Sequence, residues 1–210
     1  MNRKNKKIRI AVQKRGRLQE PSLGFLEGLG LQFKPNGSKL IDSCLNADVE
    51  ILYVRNSDIP QYVKYGVADF GIVGENVLAE KKSRLKVVEK LGFGKCSLVI
   101  AVPKGSGVKD VRDLGEERIA TSYLNILKSY LMKEGVSASI VEINGSVEIC
   151  PFLNLSDAVC DITQTGRTLV ENGLEVVAGV MDSEAVLVCS PFLNKEVVDC
   201  DFINLLKPKL

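Results

Sequence analysis

Ser156-Asp157-Ala158-Val159-Cys160-Asp161-Ile162-Thr163-Gln164-Thr165-Gly166-Arg167-Thr168-Leu169 reads as a β-strand that turns directly into a helix. The strand part, 158–163, alternates. Ala158, Cys160 and Ile162 fall on one face, and Asp157, Val159, Asp161 and Thr163 on the other. Thr165-Gly166-Arg167-Thr168 then opens a helix predicted over 165–172. Such a junction presents backbone N–H groups, the positive end of a helix dipole, two hydroxyls and a guanidinium, and these suit a phosphate. The carboxylates of Asp157 and Asp161 just upstream are acceptors for sugar hydroxyls, so strand and junction together suit a ribose 5-phosphate. The same residue types also make an ordinary helix cap, on Thr165 or Gln164, beside two edge aspartates.

The same strand-then-helix rhythm extends in both directions. Strands are predicted over 8–13, 49–54, 68–73, 85–91, 97–102, 118–121, 139–143, 176–181 and 185–188. Helices are predicted over 21–29, closed by Gly30; from a cap at Asn56 or Ser57 through 65, stopped by Gly66; over 75–81; over 123–134, stopped by Gly135; and briefly near 147–153. The helix that opens at Thr165 is ended by Gly173. This pattern implies an α/β protein with largely parallel sheets and helices on their faces. A cut near 96–102 and a return near Val180 divide it into two lobes with a cleft between them. Lobe I is residues 1–96 plus 180–210, and lobe II is residues 97–179.

Composition narrows the chemistry. The 210 residues hold 28 Lys+Arg and 26 Asp+Glu, a formal net charge of +2. Five of the basic residues (Arg3, Lys4, Lys6, Lys7 and Arg9) sit in the first nine positions, and without them the balance is 23 basic to 26 acidic. A nucleic-acid binder carries its basic surplus on the folded body, so no nucleic-acid partner is expected. The arm is not followed by the apolar run of a secretory signal, and the aliphatic runs are too short to span a bilayer, so no membrane role is expected. The chain has no histidine, which removes every mechanism with an imidazole base or ligand. Six cysteines without a CxxC pair (Cys44, Cys96, Cys150, Cys160, Cys189 and Cys200) read as free structural thiols in a reducing cytoplasm.

A second cluster, Lys14-Arg15-Gly16-Arg17, directly follows the first strand. Ligands of α/β proteins bind beyond the carboxyl ends of strands, and three cations around a glycine suit a polyphosphate or, equally, a solvated basic turn. Arg55 occupies the equivalent end of the next strand, and Asp69 is assigned to the one after. Gly145-Ser146-Val147-Glu148 forms another strand-to-helix junction, with Glu148 a candidate partner for a hydroxyl or a magnesium ion. The segment 92–96, GFGKC, is not a P-loop, because Cys96 replaces Ser/Thr and Glu89 stands where the first glycine belongs.

With these residues in place, the sequence resembles the ATP phosphoribosyltransferase family. The motifs are QKRGRL (13–18), VRNSDIP (54–60), GVADFGIVGENVL (66–78), GFGKCSL (92–98), RIATSY (118–123), NGSVE (144–148) and DAVCDITQTGRTL (157–169). The resemblance implies a catalytic core of periplasmic-binding-protein-like (type II) architecture, two α/β lobes with an interlobe active-site cleft. It implies condensation of ATP with 5-phosphoribosyl 1-pyrophosphate to N1-phosphoribosyl-ATP and pyrophosphate, the first step of histidine biosynthesis. Mg²⁺ would be held mainly through the substrate pyrophosphate, with no metal site of the protein's own.

Carried over motif by motif, the resemblance puts the 5-phosphate at Thr165, Gly166, Arg167 and Thr168, in lobe II, and the ribose beside Glu148, Asp161 and Asp157. Arg17 and Arg55 are the expected catalytic residues, against ATP and the departing pyrophosphate, with Lys14 and Asp69 lining the same cleft. It further implies a cytoplasmic homo-oligomer, dimer or hexamer, and a regulatory subunit resembling histidyl-tRNA synthetase. Three departures stand out. Asn154 occupies a position usually held by glycine, and a left-handed turn is expected to survive there. Gln164 precedes the phosphate turn where some members have an acid or hydroxyl, and the sequence given stops at Leu210, before the regulatory domain of long members. The alternative from another class is a two-lobed small-molecule-binding or sensor protein without catalysis.

Overall fold

Alternation in the first strand sends Ile8, Ile10 and Val12 to one side and Ala11 to the other, and each side meets its own helices. In the computed structural model, which describes residues 7–33 and 40–193, the elements in chain order begin β1 Ile8–Gln13, α1 Gln19–Gly28, β2 Ile41–Ser43 and β3 Val49–Val54. They continue with α2 Ile59–Lys64, β4 Phe70–Gly74, α3 Glu75–Glu80, β5 Lys86–Lys90, β6 Cys96–Pro103, β7 Arg118–Thr121 and α4 Leu124–Glu134. The last are β8 Ser139–Glu142, β9 Ala158–Thr163, α5 Arg167–Glu171, β10 Leu174–Ser183 and β11 Ala185–Cys189. Arg3, Lys4, Lys6 and Cys200, singled out above, lie outside the described residues.

The chain forms two compact units, one of Met1–Leu78, Ser83–Gly94 and Glu184–Leu210, the other of Ala79–Lys82 and Lys95–Ser183. The first holds a six-stranded sheet in the order β2-β3-β1-β4-β11-β5. One face packs Ile10, Val12, Ile51 and Ile72 against Leu18 and Leu26 of the α1 region. The other packs Ala11, Val73 and Val186 against Ile59 and Val63 of α2 and Val77 and Leu78 of α3. The second unit holds a five-stranded sheet, β10-β6-β9-β7-β8. There Leu98, Ile100 and Ile119 bury Leu127 and Leu131 of α4, while Val99, Ala120 and Val159 bury Val147, Leu169 and Leu174. Fully burying each such aliphatic side chain contributes roughly 1.5–3 kcal/mol.

The expectation of largely parallel sheets is corrected. Only β3-β1-β4 in the first sheet and β9-β7-β8 in the second are parallel; the other pairings run antiparallel. Strand direction follows from long-range pairing, which local periodicity does not encode. The strand that carries Val180 continues to Ser183, paired along β6 as far as Cys96. The short helix near 147–153 is two 3-10 turns, Val147–Ile149 and Pro151–Leu153, and no side-chain cap forms at Asn56 or Ser57. The Arg55 carbonyl instead accepts the Asp58 and Ile59 N–H groups at 2.9 and 3.3 Å.

Four of the five described cysteines are buried, Cys189 is half-buried, and all five are free thiols. Burial pushes the Cys160 thiol up to about 12, which keeps it protonated and unreactive. Among the described residues no helix is long and apolar enough to cross a membrane.

Candidate functional site

Strand direction decides which polar segments gather. In the second unit β7, β8 and β9 run parallel, so the segments that follow them leave from one end of the sheet. These are Ser122-Tyr123, then Asn144 to Glu148, then Gln164-Thr165-Gly166. β6, antiparallel to β9, starts at the same end, and the Lys95 carbonyl accepts from Gln164 Nε2 at 3.5 Å. This is the end of an α/β sheet at which ligands bind.

At the end of β9 the chain bends through Gly166 at φ +75°, a left-handed conformation that costs other residues roughly 1–2 kcal/mol. Thr163 Oγ1 accepts the Gly166 N–H at 2.8 Å, and the Arg167 N–H faces Thr165 Oγ1 at 3.5 Å. The expected set of open donors is therefore smaller than the residue types suggested. The Gly166 amide is engaged, and the Arg167 guanidinium lies along the helix on Glu171 at 2.6 Å. The helix is also only Arg167–Glu171, so its dipole is small. What remains toward an anion are the exposed hydroxyls of Thr165 and Thr168 and first-turn amides, which have no intrahelical partner.

Asp161 sits on the face of β9 that carries Val159, as the alternation predicted. Val147 and Leu169 pack with Val159 in one cluster, so the turn bearing Glu148 and the start of α5 flank that face. Burial pushes the Asp161 carboxyl above the ordinary carboxylate range, the Ile162 N–H donated to Oδ1 at 2.7 Å opposes this, and the negative charge of Glu148 adds to it. The Glu148 turn is made by Gly145 at φ +135° and Ser146 at φ +47°. Asn154 adopts φ +56°, the left-handed turn expected of it.

Asp157 is not part of this group. It precedes β9 and so lies at its amino end, about 13 Å of strand from Asp161 at ~3.3 Å per residue. Both of its oxygens are taken by Arg118, which also donates to the Asn154 carbonyl at 2.9 Å.

In the first unit β3, β1 and β4 are the parallel neighbours. Lys14 and Arg55 leave adjacent carboxyl ends, with the Lys14 N–H donated to the Val54 carbonyl at 2.8 Å, and both residues are exposed. The Gln13 side chain accepts the Leu18 N–H at 3.1 Å and occupies the space a Cβ on Gly16 would need, so the turn 14–17 closes over it. Arg17, half-buried, donates from Nη1 to the Gly94 carbonyl at 2.7 Å. Asp69 departs from expectation. It stands at the amino end of β4, where its carboxylate accepts the Arg9 N–H at 2.9 Å and its own N–H is donated back to Arg9 at 2.8 Å. That exchange staples β1 to β4 at the end opposite Lys14.

Sequence reasoning also passed over Thr121. Buried at the carboxyl end of β7, its hydroxyl donates to the Cys160 carbonyl at 2.7 Å and accepts the Tyr123 N–H at 2.9 Å, which shapes the loop there. Its place as the last residue of a strand was the available signal.

Two α/β units, each with its exposed polar junctions at the carboxyl ends of parallel strands, define a protein of the periplasmic-binding-protein-like type II class. Solved structures agree. A substrate binding protein of an amino acid ABC transporter matches 96% of this chain and 93% of its own at TM-score 0.56 and 14% identity, a likeness of fold alone. The ATP phosphoribosyl transferase (HisG:HisZ) complex from Thermotoga maritima matches 96% of this chain and 97% of its own at TM-score 0.80 and 33% identity. The family model for ATP phosphoribosyltransferase (HisG) matches residues 55–206. ATP phosphoribosyltransferases from Cytophaga hutchinsonii and Maricaulis maris are 47% and 43% identical over 90% and 87% of this chain. The chain spans 66% and 64% of their lengths. The chain belongs to the ATP phosphoribosyltransferase family.

Proposed function

We propose that this protein joins ATP to 5-phosphoribosyl 1-pyrophosphate, forming N1-(5-phosphoribosyl)-ATP and pyrophosphate. The observation that carries this reading is the junction at the end of β9. Two exposed threonine hydroxyls and first-turn amides stand past a partly buried carboxylate, Asp161, with Glu148 close enough to raise its pKa. Family membership at up to 47% identity supports it.

In the second unit, Thr165, Thr168 and the first amides of α5 would hold the 5-phosphate, with Gly166 shaping the turn, and Asp161 with Glu148 would accept from the ribose hydroxyls. In the first unit, Arg17, Arg55 and Lys14 would meet the phosphates of ATP and the charge that develops on departing pyrophosphate. Asp157 and Asp69 are left as structural groups, because each has its carboxylate engaged at the amino end of a strand.

The chemistry suits a chain without histidine. Adenine N1 attacks with a free lone pair and carries no proton at neutral pH, so no general base is needed. Orientation of two polyanions and stabilisation of the leaving group lower the barrier, and fixed cations supply the second. Among the described residues no group of three or more His, Cys, Asp or Glu could hold a metal ion. Magnesium commonly completes its shell with substrate phosphates and water, so here it would be held mainly through the substrate pyrophosphate. Bound there, Mg²⁺ would neutralise charge on the leaving pyrophosphate.

The Thermotoga maritima complex supports a second, different subunit as partner, and we extend the proposal to a regulatory role for that subunit and to a homo-oligomeric cytoplasmic enzyme. The test is turnover. The chain, alone and with such a subunit, is mixed with ATP, 5-phosphoribosyl 1-pyrophosphate and Mg²⁺, and both pyrophosphate release and the ultraviolet change of N1-substituted adenine are followed. Stoichiometric appearance of both is expected. Absence of both products in both mixtures, or equal rates with GTP, contradicts the reading.

A further inference from the structure

Arg17 is held by a chain of contacts that leads to Glu184, a residue in none of the motifs above. Its Nη1 donates to the Gly94 carbonyl at 2.7 Å. Gly94 sits at φ +63°, and a Cβ there would collide with Leu18 Cδ2, so Gly94 packs against the residue next to Arg17 itself. The turn that presents Gly94 is tied to the start of β11. Leu91 N–H donates to the Ala185 carbonyl and Ala185 N–H to the Phe93 carbonyl, both at 2.9 Å. The side chain of Glu184 completes the tie, with Oε2 accepting the Gly92 N–H at 2.9 Å.

Glu184 is in turn fixed from the other side. It exchanges bonds with Glu75, the first residue after β4: Glu75 N–H to the Glu184 carbonyl at 3.0 Å, and Glu184 N–H to Glu75 Oε2 at 3.2 Å. Lys90 Nζ lies 2.8 Å from Glu75 Oε1 and 3.7 Å from Glu184 Oε1, so one ammonium sits against both carboxylates. Both glutamate side chains are mostly buried, at 22% and 20% exposure, a setting in which two acids need such a partner.

We propose that Glu184 is a positioning residue for Arg17, acting through the Gly92–Gly94 turn. With the turn tied, the Gly94 carbonyl holds the Arg17 guanidinium in one place, and its charge is oriented before substrate arrives. This rests on the role proposed for Arg17 above. Without the carboxylate the Gly92 end of the turn loses its anchor while the two backbone bonds to Ala185 remain, and a group displaced by about 1 Å can lose up to ~10²-fold in rate.

A double-mutant cycle tests it, read as kcat by pyrophosphate release and as affinity for inorganic pyrophosphate by calorimetry. Glu184→Ala is expected to lower kcat about tenfold with little change in the KM for 5-phosphoribosyl 1-pyrophosphate. Glu184→Gln, whose amide oxygen still accepts from Gly92, is expected to recover most of that loss. In an Arg17→Ala background Glu184→Ala should add less than about twofold. Should Glu184→Ala not fold, Lys90→Ala, at a side chain 61% exposed, replaces it in the same cycle with a smaller loss that again vanishes without Arg17. A loss of equal size with and without Arg17 overturns the positioning role while leaving Arg17 its own. Wild-type kcat and pyrophosphate affinity in Arg17→Ala overturn the Arg17 reading and the positioning role with it.

Discussion

The Arg118 guanidinium grips the Asp157 carboxylate through two parallel bonds, Nε to Oδ2 and Nη2 to Oδ1, both 3.0 Å, and the Arg118 backbone N–H reaches Oδ2 as well. Asp157 thus joins the amino ends of β7 and β9, while Asp161 on the same strand faces the opposite end. One strand carries a structural acid and a candidate site acid.

Asp157→Asn is expected to cost stability and leave substrate kinetics alone. The Arg118 side chain, above all, holds the Asp157 carboxyl below its usual range. Its contribution is therefore full above the unfolded value near ~3.9 and is lost as pH falls through the depressed folded value. The two side chains are 35% and 44% exposed, so solvent screening limits the loss to about 0.5–1 kcal/mol at pH 7. The difference between denaturant melts of the two proteins should shrink as pH falls from ~7 through the acid range. An increased KM for the pentose donor would return Asp157 to the site.

Asp161 predicts the reverse sign. Its folded pKa is raised, first by burial and then by Glu148, so its protonated form favours the fold below the unfolded pKa and that advantage disappears as pH rises through the folded pKa. Asp161→Asn should therefore be at least as stable as the parent at pH 7, yet turn over poorly. The acid limb of kcat/KM should lie above the ordinary aspartate range and move down in Glu148→Gln. A limb unmoved by Glu148→Gln counts against their coupling.

Arg17→Ala and Arg55→Ala are each expected to lower kcat by ~10²–10³-fold, the scale of losing one fixed charge donor in the transition state. Steady-state pyrophosphate release measures this. Unchanged turnover in both variants removes them from the chemistry.

Gly166→Ala forces a side chain into the left-handed turn at φ +75°, at a cost of about 1–2 kcal/mol in a junction whose shape is its function. Thr168→Val removes one hydroxyl without changing the backbone. Both should raise the KM for 5-phosphoribosyl 1-pyrophosphate more than the KM for ATP, by roughly tenfold for the loss of one hydrogen bond to a charged group. An equal effect on both substrates would place the anion elsewhere.

Much of this was legible in the sequence because it is local. The strand bounds of β1, β3, β7 and β9, the two faces of β9, and the left-handed turn at Asn154 follow from alternation and from which residues tolerate such a bend. Two carboxylates stand at the other end of their strands from the one the sequence suggested. Asp69 and Asp157 each immediately precede a strand, which puts them at its amino end, whereas the ligand rule concerns carboxyl ends. Predicting the strand as 68–73 instead of Phe70–Gly74 hid this for Asp69. The antiparallel strands β5, β6, β10 and β11 depend on partners far along the chain, as does the tie from Glu184 to Gly92. No window of sequence contains such a contact.

The decisive measurement is a crystal structure of the chain with 5-phosphoribosyl 1-pyrophosphate bound. The 5-phosphate should sit on the Thr165 and Thr168 hydroxyls and the first amides of α5, with the ribose hydroxyls toward Asp161 and Glu148. A 5-phosphate found on Lys14 or Arg55, or away from both groups, would contradict the account.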